Sequence, residues 1–314
     1  MNRIAPALLA TAALLAASIS LSSTAIAARN PANGQLVFDR GDSEIFIADP
    51  DGGGVRELTP AYGQGCCARW SPDGLQLAYP AMNTETGGTG TAIQDADGAG
   101  FRILPRPAPD LVAGCNVWSP DAELLACEVW NLADESFHSG VFTVRSSDGR
   151  GLRRLTTNPY QGGTDLVMDY SPNGKHIVLF RDQGGEGGES ALFVIDSDGA
   201  QIRQITAWGA VRNGGSWSPD GNWILFNDYR GRLWKVHPDG TGMKKIDLDV
   251  KRGAFAFEPV WSPDGGHIAF SLWDPTLGQD DIYTARANGT GVTQVTNTPE
   301  HEGNVDWGIH RTNN

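Results

Sequence analysis

The stretch EPVWSPDGGHIAFS, residues 258–271, contains a phrase that recurs along this chain. Residues 215–227 read GSWSPDGNWILFN, and residues 69–79 read RWSPDGLQLAY. Five copies carry an aromatic residue directly before Ser-Pro, and a sixth, degenerate copy reads VDWGIH; the aromatic residues are Trp70, Trp118, Tyr170, Trp217, Trp261 and Trp307. Successive aromatic residues are 48, 52, 47, 44 and 46 positions apart. A steady period in the forties predicts a repeat architecture, whereas a catalytic loop would need only one copy.

Each repeat also carries short apolar runs separated by turn residues. After the copy at Tyr170 come HIVLF, then LFVIDS, then the turn DSDG and the run IRQIT. Asp-Gly supplies the positive φ angles that tight hairpin turns require. Pro has no N–H to donate, so Ser-Pro belongs where a strand ends. We therefore expect four strands in each repeat, named a (ending at the aromatic residue), b, c and d, and we interpret the repeated phrase as structural.

The two ends of the repeat region complement each other. Residues 35–58 contain runs for strands b, c and d, whereas NVDWGIH, residues 304–310, contains a strand a with no successor. Joining them makes a sixth sheet and closes a ring, which protects the sheet edges. The sequence predicts an all-β fold, a six-bladed β-propeller of four-stranded antiparallel blades, closed by the C-terminal strand joining the N-terminal blade.

The first 27 residues have the features of a secretory signal peptide: Arg3, the apolar run ALLATAALLAASISL and the small residues at 25–27. We expect an exported protein, periplasmic or secreted, with residues 28–314 forming the propeller domain. No other stretch approaches the length of a membrane helix, so no membrane insertion is expected. The net charge of −13 disfavours nucleic acid as a partner. We expect a monomer.

The order WSPDG, apolar strand, D-x-DG and then LT resembles the WD-like propeller repeat of the TolB family, over residues 34–310. The resemblance implies a propeller fold and a place in the bacterial envelope, where TolB is the periplasmic component of the Tol–Pal system. The same blade motif occurs in propellers of prolyl-oligopeptidase-type hydrolases and of pectate-degrading lyases. TolB itself carries an α/β domain before the propeller, and we expect a free-standing propeller here. A Gly-x-Ser-x-Gly elbow is missing from the sequence, which argues against the hydrolases.

Ligands of propellers usually meet the face that carries the d–a and b–c loops. The long, polar, Gly-rich loops predicted on this face are a candidate binding surface; the alternative, that they are only exposed connections, stays open. Charged residues just before the inner strands form the predicted ligand-binding rim: Asp165, Arg212, Arg252, Glu258, His301 and Glu302.

Two main hypotheses of function follow. The first is a non-enzymatic binding module for an envelope protein, peptide or glycan, because the repeats account for nearly every residue and no catalytic constellation stands out. The alternative is a carbohydrate-active enzyme of the polysaccharide lyase type, with His138, Arg212 and His301 supplying a base and a charge neutraliser. Sugar-stacking aromatic side chains beside them would favour the enzyme: Tyr160, Trp208 or Trp273. A third hypothesis is a structural scaffold that binds partners at its sides.

Export permits disulfide bonds between the four cysteines. Cys67 and Cys115 each lie three residues before their Trp, so we expect Cys115 to bond Cys67, or the neighbouring Cys66, across two blades. Cys127 reads as a buried free thiol. As an alternative, the three rim thiolates could bind a soft ion. We otherwise expect no cofactor and no metal, with a calcium ion in the central channel left open.

Overall fold

The computed structural model describes residues 32–41, 43–58, 63–83, 88–134 and 140–310. The predicted signal peptide lies outside this range. The described residues form 25 β-strands in six antiparallel sheets, and none of them belongs to a helix long and apolar enough for a membrane crossing. The predicted all-β, six-bladed propeller is confirmed.

Each sheet is one blade, whose strand order runs from inner strand a to outer strand d. Blade 1 contains β25 (Glu302–Ile309), β1 (Asn33–Arg40), β2 (Glu44–Ala48) and β3 (Arg56–Glu57). In blade 2 the inner strand is split into β4 (Gly63–Gly65) and β5 (Arg69–Trp70), followed by β6 (Gln76–Asn83), β7 (Thr89–Asp95) and β8 (Arg102–Ile103). Blade 3 contains β9 (Leu111–Trp118), β10 (Leu124–Asn131), β11 (Val141–Arg145) and β12 (Arg153–Arg154).

The remaining blades follow in chain order. Blade 4 contains β13 (Asp165–Tyr170), β14 (His176–Asp182), β15 (Ser190–Asp196) and β16 (Ile202–Gln204). Blade 5 contains β17 (Asn213–Trp217), β18 (Ile224–Asn227), β19 (Leu233–Val236) and β20 (Lys244–Ile246). Blade 6 contains β21 (Phe255–Trp261), β22 (His267–Asp274), β23 (Gln279–Arg286) and β24 (Thr293–Gln294). Because the strands alternate in direction, the d–a and b–c connections share one end of the ring, the loop face, and the a–b and c–d turns share the other, the turn face.

The hydrophobic core lies between neighbouring blades. Each apolar cluster mixes the side chains of two consecutive blades, so every interface round the ring has its own core. The Trp217 ring of blade 5, for example, packs with Val178 and Leu192 of blade 4. A large ring at the end of strand a thus fills the wedge between two sheets, which explains why the aromatic residue recurs.

The repeated Ser-Pro-Asp-Gly phrase builds the a–b turn. In blade 5 the Ser218 hydroxyl donates to Asp220 Oδ1 at 2.5 Å and accepts the Trp223 N–H at 2.9 Å, which fixes the first residues of strand b. Gly221 has φ 73°, a conformation that costs glycine little. Blade 3 has Ala122 at this place with φ 59°. The phrase is therefore a turn motif, as the sequence predicts.

The ring closes between the two ends of the chain. β25 pairs with β1, with Leu36 opposite Trp307. Val260 and Ala269 of blade 6 pack with Leu36 and Trp307 of blade 1 in one buried cluster. The C-terminal strand therefore completes the N-terminal blade, and the predicted closure is confirmed.

Candidate functional site

Bulges in the inner strands shape a central channel of about 630 Å³. The register between strands a and b shifts in the same region of several blades, for instance between Phe257 and Val260. Cys67, Glu258 and Asn304 occupy the same repeat position, three residues before the Trp, and have φ of 62°, 53° and 53°. A left-handed residue in a bulge re-aims its side chain, and these three residues line the channel.

A network of hydrogen bonds links these residues across blades 1, 2 and 6. The Asp39 carboxylate accepts the Cys67 N–H at 2.8 Å and the Asn304 Nδ2 at 2.8 Å. Glu258 accepts the Asn304 N–H at 2.5 Å. From the inner strand of blade 3, Asn116 Nδ2 donates to the Cys67 carbonyl at 2.7 Å. The polar side chains therefore hold neighbouring blades in register at the channel.

Burial raises the pKa of three carboxyl groups at the channel. It raises the pKa of Asp39 to about 7, against the lowering effect of the Cys67 N–H and the Asn304 amide. It raises the pKa of Asp169 to about 7 as well, against the Trp217 N–H. Burial also raises the pKa of Glu258. The Arg69 guanidinium lies among them, 3.4 Å from Asp306 Oδ1.

Some of the polar side chains at the channel join neighbouring blades by the same kind of hydrogen bond. At three of the six interfaces between blades, the side chain directly before the aromatic residue of one blade accepts the backbone N–H of the next blade's aromatic residue. Asp306 accepts from Trp70 at 2.9 Å, and Asp169 accepts from Trp217 at 2.8 Å. Channel carboxylates thus latch blades together, which explains their burial without a ligand.

A second concave site lies on the loop face between blades 5 and 6. It is a cavity of about 470 Å³ lined by Arg212, Phe255, Phe257, Trp273 and Asp280. The Arg212 guanidinium lies over the Phe255 ring, 5.0 Å from its centroid. Trp273 keeps 38% of its surface exposed. The cavity therefore offers an aromatic platform and a cation to a ligand.

His301 extends this site. Its Nδ1 lies 2.8 Å from Asp280 Oδ2, and the imidazole is otherwise exposed. Arg212 and Asp280 line the same cavity, and His301 contacts Asp280, so two of the three residues of the predicted enzyme site lie at this cavity. The third, His138, lies outside the described residues.

The loop face also exposes large apolar side chains. Met82, Trp130, Leu132, Tyr229, Trp273 and Leu277 lie at the ends of strands b or in the b–c loops. Among the described residues, all three exposed large aromatic side chains are in this set. Val55, Leu75, Ile202 and Met243 instead belong to the a–b or c–d turns or to the start of strand d. Exposed aromatic and Met side chains are typical of docking surfaces.

The other members of the predicted rim are divided between surface and interior. Asp165 is fully buried, and its carboxylate accepts hydrogen bonds from both Nε and Nη2 of Arg181 at 2.6 Å, which favours a structural role. Glu302 is buried against Arg40 at the ring closure. Glu258 faces the channel, and Arg252 is exposed on the loop face. A ligand-binding role for each of these residues stays a prediction.

Two of the proposed sugar-stacking residues contact each other. The rings of Tyr160 and Trp208 meet edge to face with centroids 5.6 Å apart. Trp208 also packs on the buried cluster between blades 3 and 4. Only Trp273 of the three stands in the cavity with Arg212.

The predicted disulfide between Cys115 and Cys67, or Cys66, is wrong. Cys115 bonds Cys127 instead, with Cα atoms 4.0 Å apart, so the expectation that Cys127 is a free thiol is wrong too. The two residues are directly opposite on strands a and b of one blade, where side chains are close. Equivalent repeat positions suggested a bond between blades. The left-handed backbone of Cys67 turns it elsewhere, and its sulfur lies 2.7 Å from that of Cys66.

The vicinal thiols are hydrogen-bonded to each other. The Cys67 thiol donates to Cys66 Sγ, which lowers the pKa of Cys66 and raises that of Cys67. Their sulfurs and the Asp39 carboxylate lie within 4.8 Å of one another, the one such group of metal-type ligands in the part of the chain that the structure describes. A calcium ion in the channel stays a prediction.

Sequence reasoning missed several site residues. Asp39, Arg69 and Asp169 interrupt apolar strands, and Arg69 and Asp169 occupy the repeat position that holds Val117 and Val260 in other blades. Aligning the repeats column by column would have shown these polar substitutions at an inner-strand position. Asp280 lies in a predicted b–c loop, but no pattern distinguishes it from its neighbours.

Comparison with known proteins agrees with the fold. No protein-family model matches the chain. The Tol-Pal system protein TolB of Anaeromyxobacter dehalogenans strain 2CP-C is 29% identical over 119 residues, 37% of this chain and 26% of the relative. An uncharacterised protein of Agrobacterium fabrum is 29% identical over 223 residues, 65% of this chain and 64% of the relative. The matches thus span less than two thirds of these relatives.

Solved structures give the same picture. TolB from Acinetobacter baumannii superimposes with a TM-score of 0.67 at 14% identity, over 87% of this chain and 66% of that one. A putative TolB from Agrobacterium tumefaciens gives 0.64 at 19% identity, over 87% of this chain and 100% of that one. An oligogalacturonate lyase in complex with manganese gives 0.51 at 14% identity, over 85% of this chain and 74% of that one. By its repeats, its blade topology and these likenesses, the chain is a TolB-like β-propeller.

Proposed function

We propose that this chain is an exported, periplasmic binding module without catalytic activity, whose loop face docks an envelope protein or peptide. The observation that carries the proposal is the concentration of exposed aromatic side chains on that face. Large rings anchor partners because they bury much area with few rotatable bonds. Relatives that are named Tol-Pal system proteins support a partner in the envelope.

The placement of these anchors fits a broad docking surface. Trp130 belongs to blade 3, Tyr229 to blade 5 and Trp273 to blade 6, so the anchors are spread round the ring. Charged residues separate them, including Arg212 and Arg252. Apolar anchors within a polar surround are the usual anatomy of a protein interface. The rigid blades hold the anchors in place, which limits the entropy lost on docking.

Site-specific photocrosslinking in exporting cells tests the proposal. A photoreactive phenylalanine analogue would replace Trp130, Tyr229 or Trp273, and Ile202 of the turn face would serve as matched control. We expect one discrete crosslinked species from the three loop-face positions and none from Ile202. Equal crosslinking from Ile202, or none from the loop face, would contradict docking there.

A second candidate function is a polysaccharide lyase, and the placement of Arg212 in the cavity that is also lined by Asp280, the partner of His301, favours it. Asp280 holds His301 Nδ1 at 2.8 Å, which leaves Nε2 free to accept a proton from a sugar. Arg212 would neutralise the carboxylate of an acidic sugar stacked on Trp273. Incubation with acidic oligosaccharides tests this function. A lyase would form new double bonds that absorb ultraviolet light, and Arg212→Met and His301→Gln would each abolish them.

A further inference from the structure

We propose that Cys66, Cys67 and Asp39 form a site for one thiophilic metal ion, such as zinc or copper(I), at the wall of the central channel. This site is independent of docking on the loop face. The proposal rests on the placement of two thiols and one carboxylate within 4.8 Å of one another, on neighbouring blades.

The geometry comes from the split inner strand of blade 2. Residues 66–68 separate β4 from β5, and Cys67 takes the left-handed conformation there, with φ 62°. This places its sulfur 2.7 Å from Cys66 Sγ. Two ligands on one zinc ion lie roughly 3 to 4 Å apart, given bond lengths near 2.3 Å for sulfur. The sulfurs must therefore separate by about 1 Å, which rotation about one Cα–Cβ bond provides.

Asp39 is held in position to act as the third ligand. Its Oδ2 accepts the Cys67 N–H and the Asn304 Nδ2, both at 2.8 Å. Its Oδ1 makes only the longer contact, 3.1 Å, to the Cys67 N–H. Oδ1 is thus the oxygen available to the ion. Hydrogen bonds that fix the orientation of a ligating carboxylate are a usual feature of protein metal sites.

The surroundings suit a soft ion with an open position. Cys66 and Cys67 are half-buried and line the channel of about 630 Å³, so an ion and a water molecule can reach them. Two sulfur ligands select soft or borderline metals, whereas calcium requires oxygen ligands. Arg69 lies near the same wall and offsets negative charge from the thiolates.

Cadmium titration of the full exported protein tests the site. After mild reduction that leaves the buried Cys115–Cys127 bond in place, Cd²⁺ is added and the sulfur-to-cadmium charge-transfer absorption is recorded. We expect saturation at one ion per chain. Asp39→Asn should weaken binding by 10-fold or more, as for lost metal ligands and their partners (roughly 10–100-fold). Cys66→Ser/Cys67→Ser should abolish the band.

Controls keep the outcome tied to these residues. The Cys66→Ser/Cys67→Ser variant must show the thermal midpoint of the wild type, and Asp148→Asn, an exposed carboxylate elsewhere, should bind cadmium as the wild type does. The same band in the double variant would overturn the site. The site would also be overturned if wild-type protein with two titratable thiols gave no band. A disulfide bond between Cys66 and Cys67 that mild reduction does not open would overturn it as well.

Discussion

Arg40 and Glu302 lie 262 positions apart in the chain, yet the Arg40 Nε donates to Glu302 Oε1 at 2.7 Å. The Glu302 side chain is fully buried and that of Arg40 is 15% exposed. The pair joins β1 to β25. Glu302 also accepts the Thr296 hydroxyl, so a single carboxylate ties the last strand to the first blade and to blade 6.

Loss of the Arg40 charge should loosen this closure. Arg40→Met keeps the apolar stem but leaves Glu302 as a buried carboxylate without its cation. We expect the free energy of unfolding to fall by about 3 kcal/mol in urea denaturation. Arg145→Met is the matched control, because Arg145 pairs with Asp148 on the surface, and its free energy of unfolding should stay close to that of the wild type. Equal losses in the two variants would refute a special role for the closing pair.

Ala122 should be a position where glycine stabilises the fold. Its φ of 59° costs alanine about 1–2 kcal/mol, a cost that glycine avoids. Glycine also makes the unfolded chain more flexible, which destabilises the folded state by about 0.4–1 kcal/mol and offsets part of this gain. Ala122→Gly should therefore raise the thermal midpoint by about 1–2 °C. Gly221→Ala, at the equivalent turn with φ 73°, should lower it, because the added Cβ finds free space but a strained backbone. A fall in the midpoint of Ala122→Gly would contradict this account.

Asp169 should make stability depend on pH. Burial raises its pKa to about 7 in the folded protein, whereas an unfolded Asp titrates near about 3.9. Between these values the folded state holds a proton that the unfolded state has released, so the free energy of unfolding falls as pH rises, by up to about 1.4 kcal/mol per pH unit.

Urea denaturation across that pH window measures the effect. Asp169→Asn keeps an acceptor for the Trp217 N–H and should make the slope less steep, while Asp39, whose pKa is also raised to about 7, keeps part of the dependence. Asp239→Asn, an exposed carboxyl whose pKa is lowered by Thr241, should leave it unchanged. An unaltered slope in Asp169→Asn would show that another group causes the dependence.

The Cys115–Cys127 bond should be present in the exported protein. Peptide mapping without reduction should recover these two residues in one linked species, with Cys66 and Cys67 alkylated. Cys115→Ala/Cys127→Ala should cost about 2–3 kcal/mol, as expected for a short closed loop. A linked peptide that contains Cys67 and Cys115 would restore the bond expected from the repeat.

The sequence predicts the fold well because its signals are local and repeat. Ser218, Asp220 and Gly221 determine their own turn. An aromatic residue at the place of Trp217 recurs in every repeat and fills an interface between two blades. The candidate site depends on relations that the repeat does not encode. The opposition of Cys115 and Cys127 follows from the register of one hairpin. The placement of Arg212, Asp280 and His301 at one cavity depends on how three blades converge, and no spacing in the chain indicates it.

As proposed above, the loop face binds a partner and leaves it unchanged. The most direct measurement is the thermal midpoint of the mature protein with envelope peptides and with acidic and neutral oligosaccharides, compared for wild type, Trp273→Ala and Ile202→Ala. We expect a peptide to raise the thermal midpoint of wild type and Ile202→Ala. The rise should be far smaller for Trp273→Ala, and the peptide should be recovered intact. An oligosaccharide that stabilises the protein and is then cleaved to shorter, ultraviolet-absorbing products would contradict the proposal.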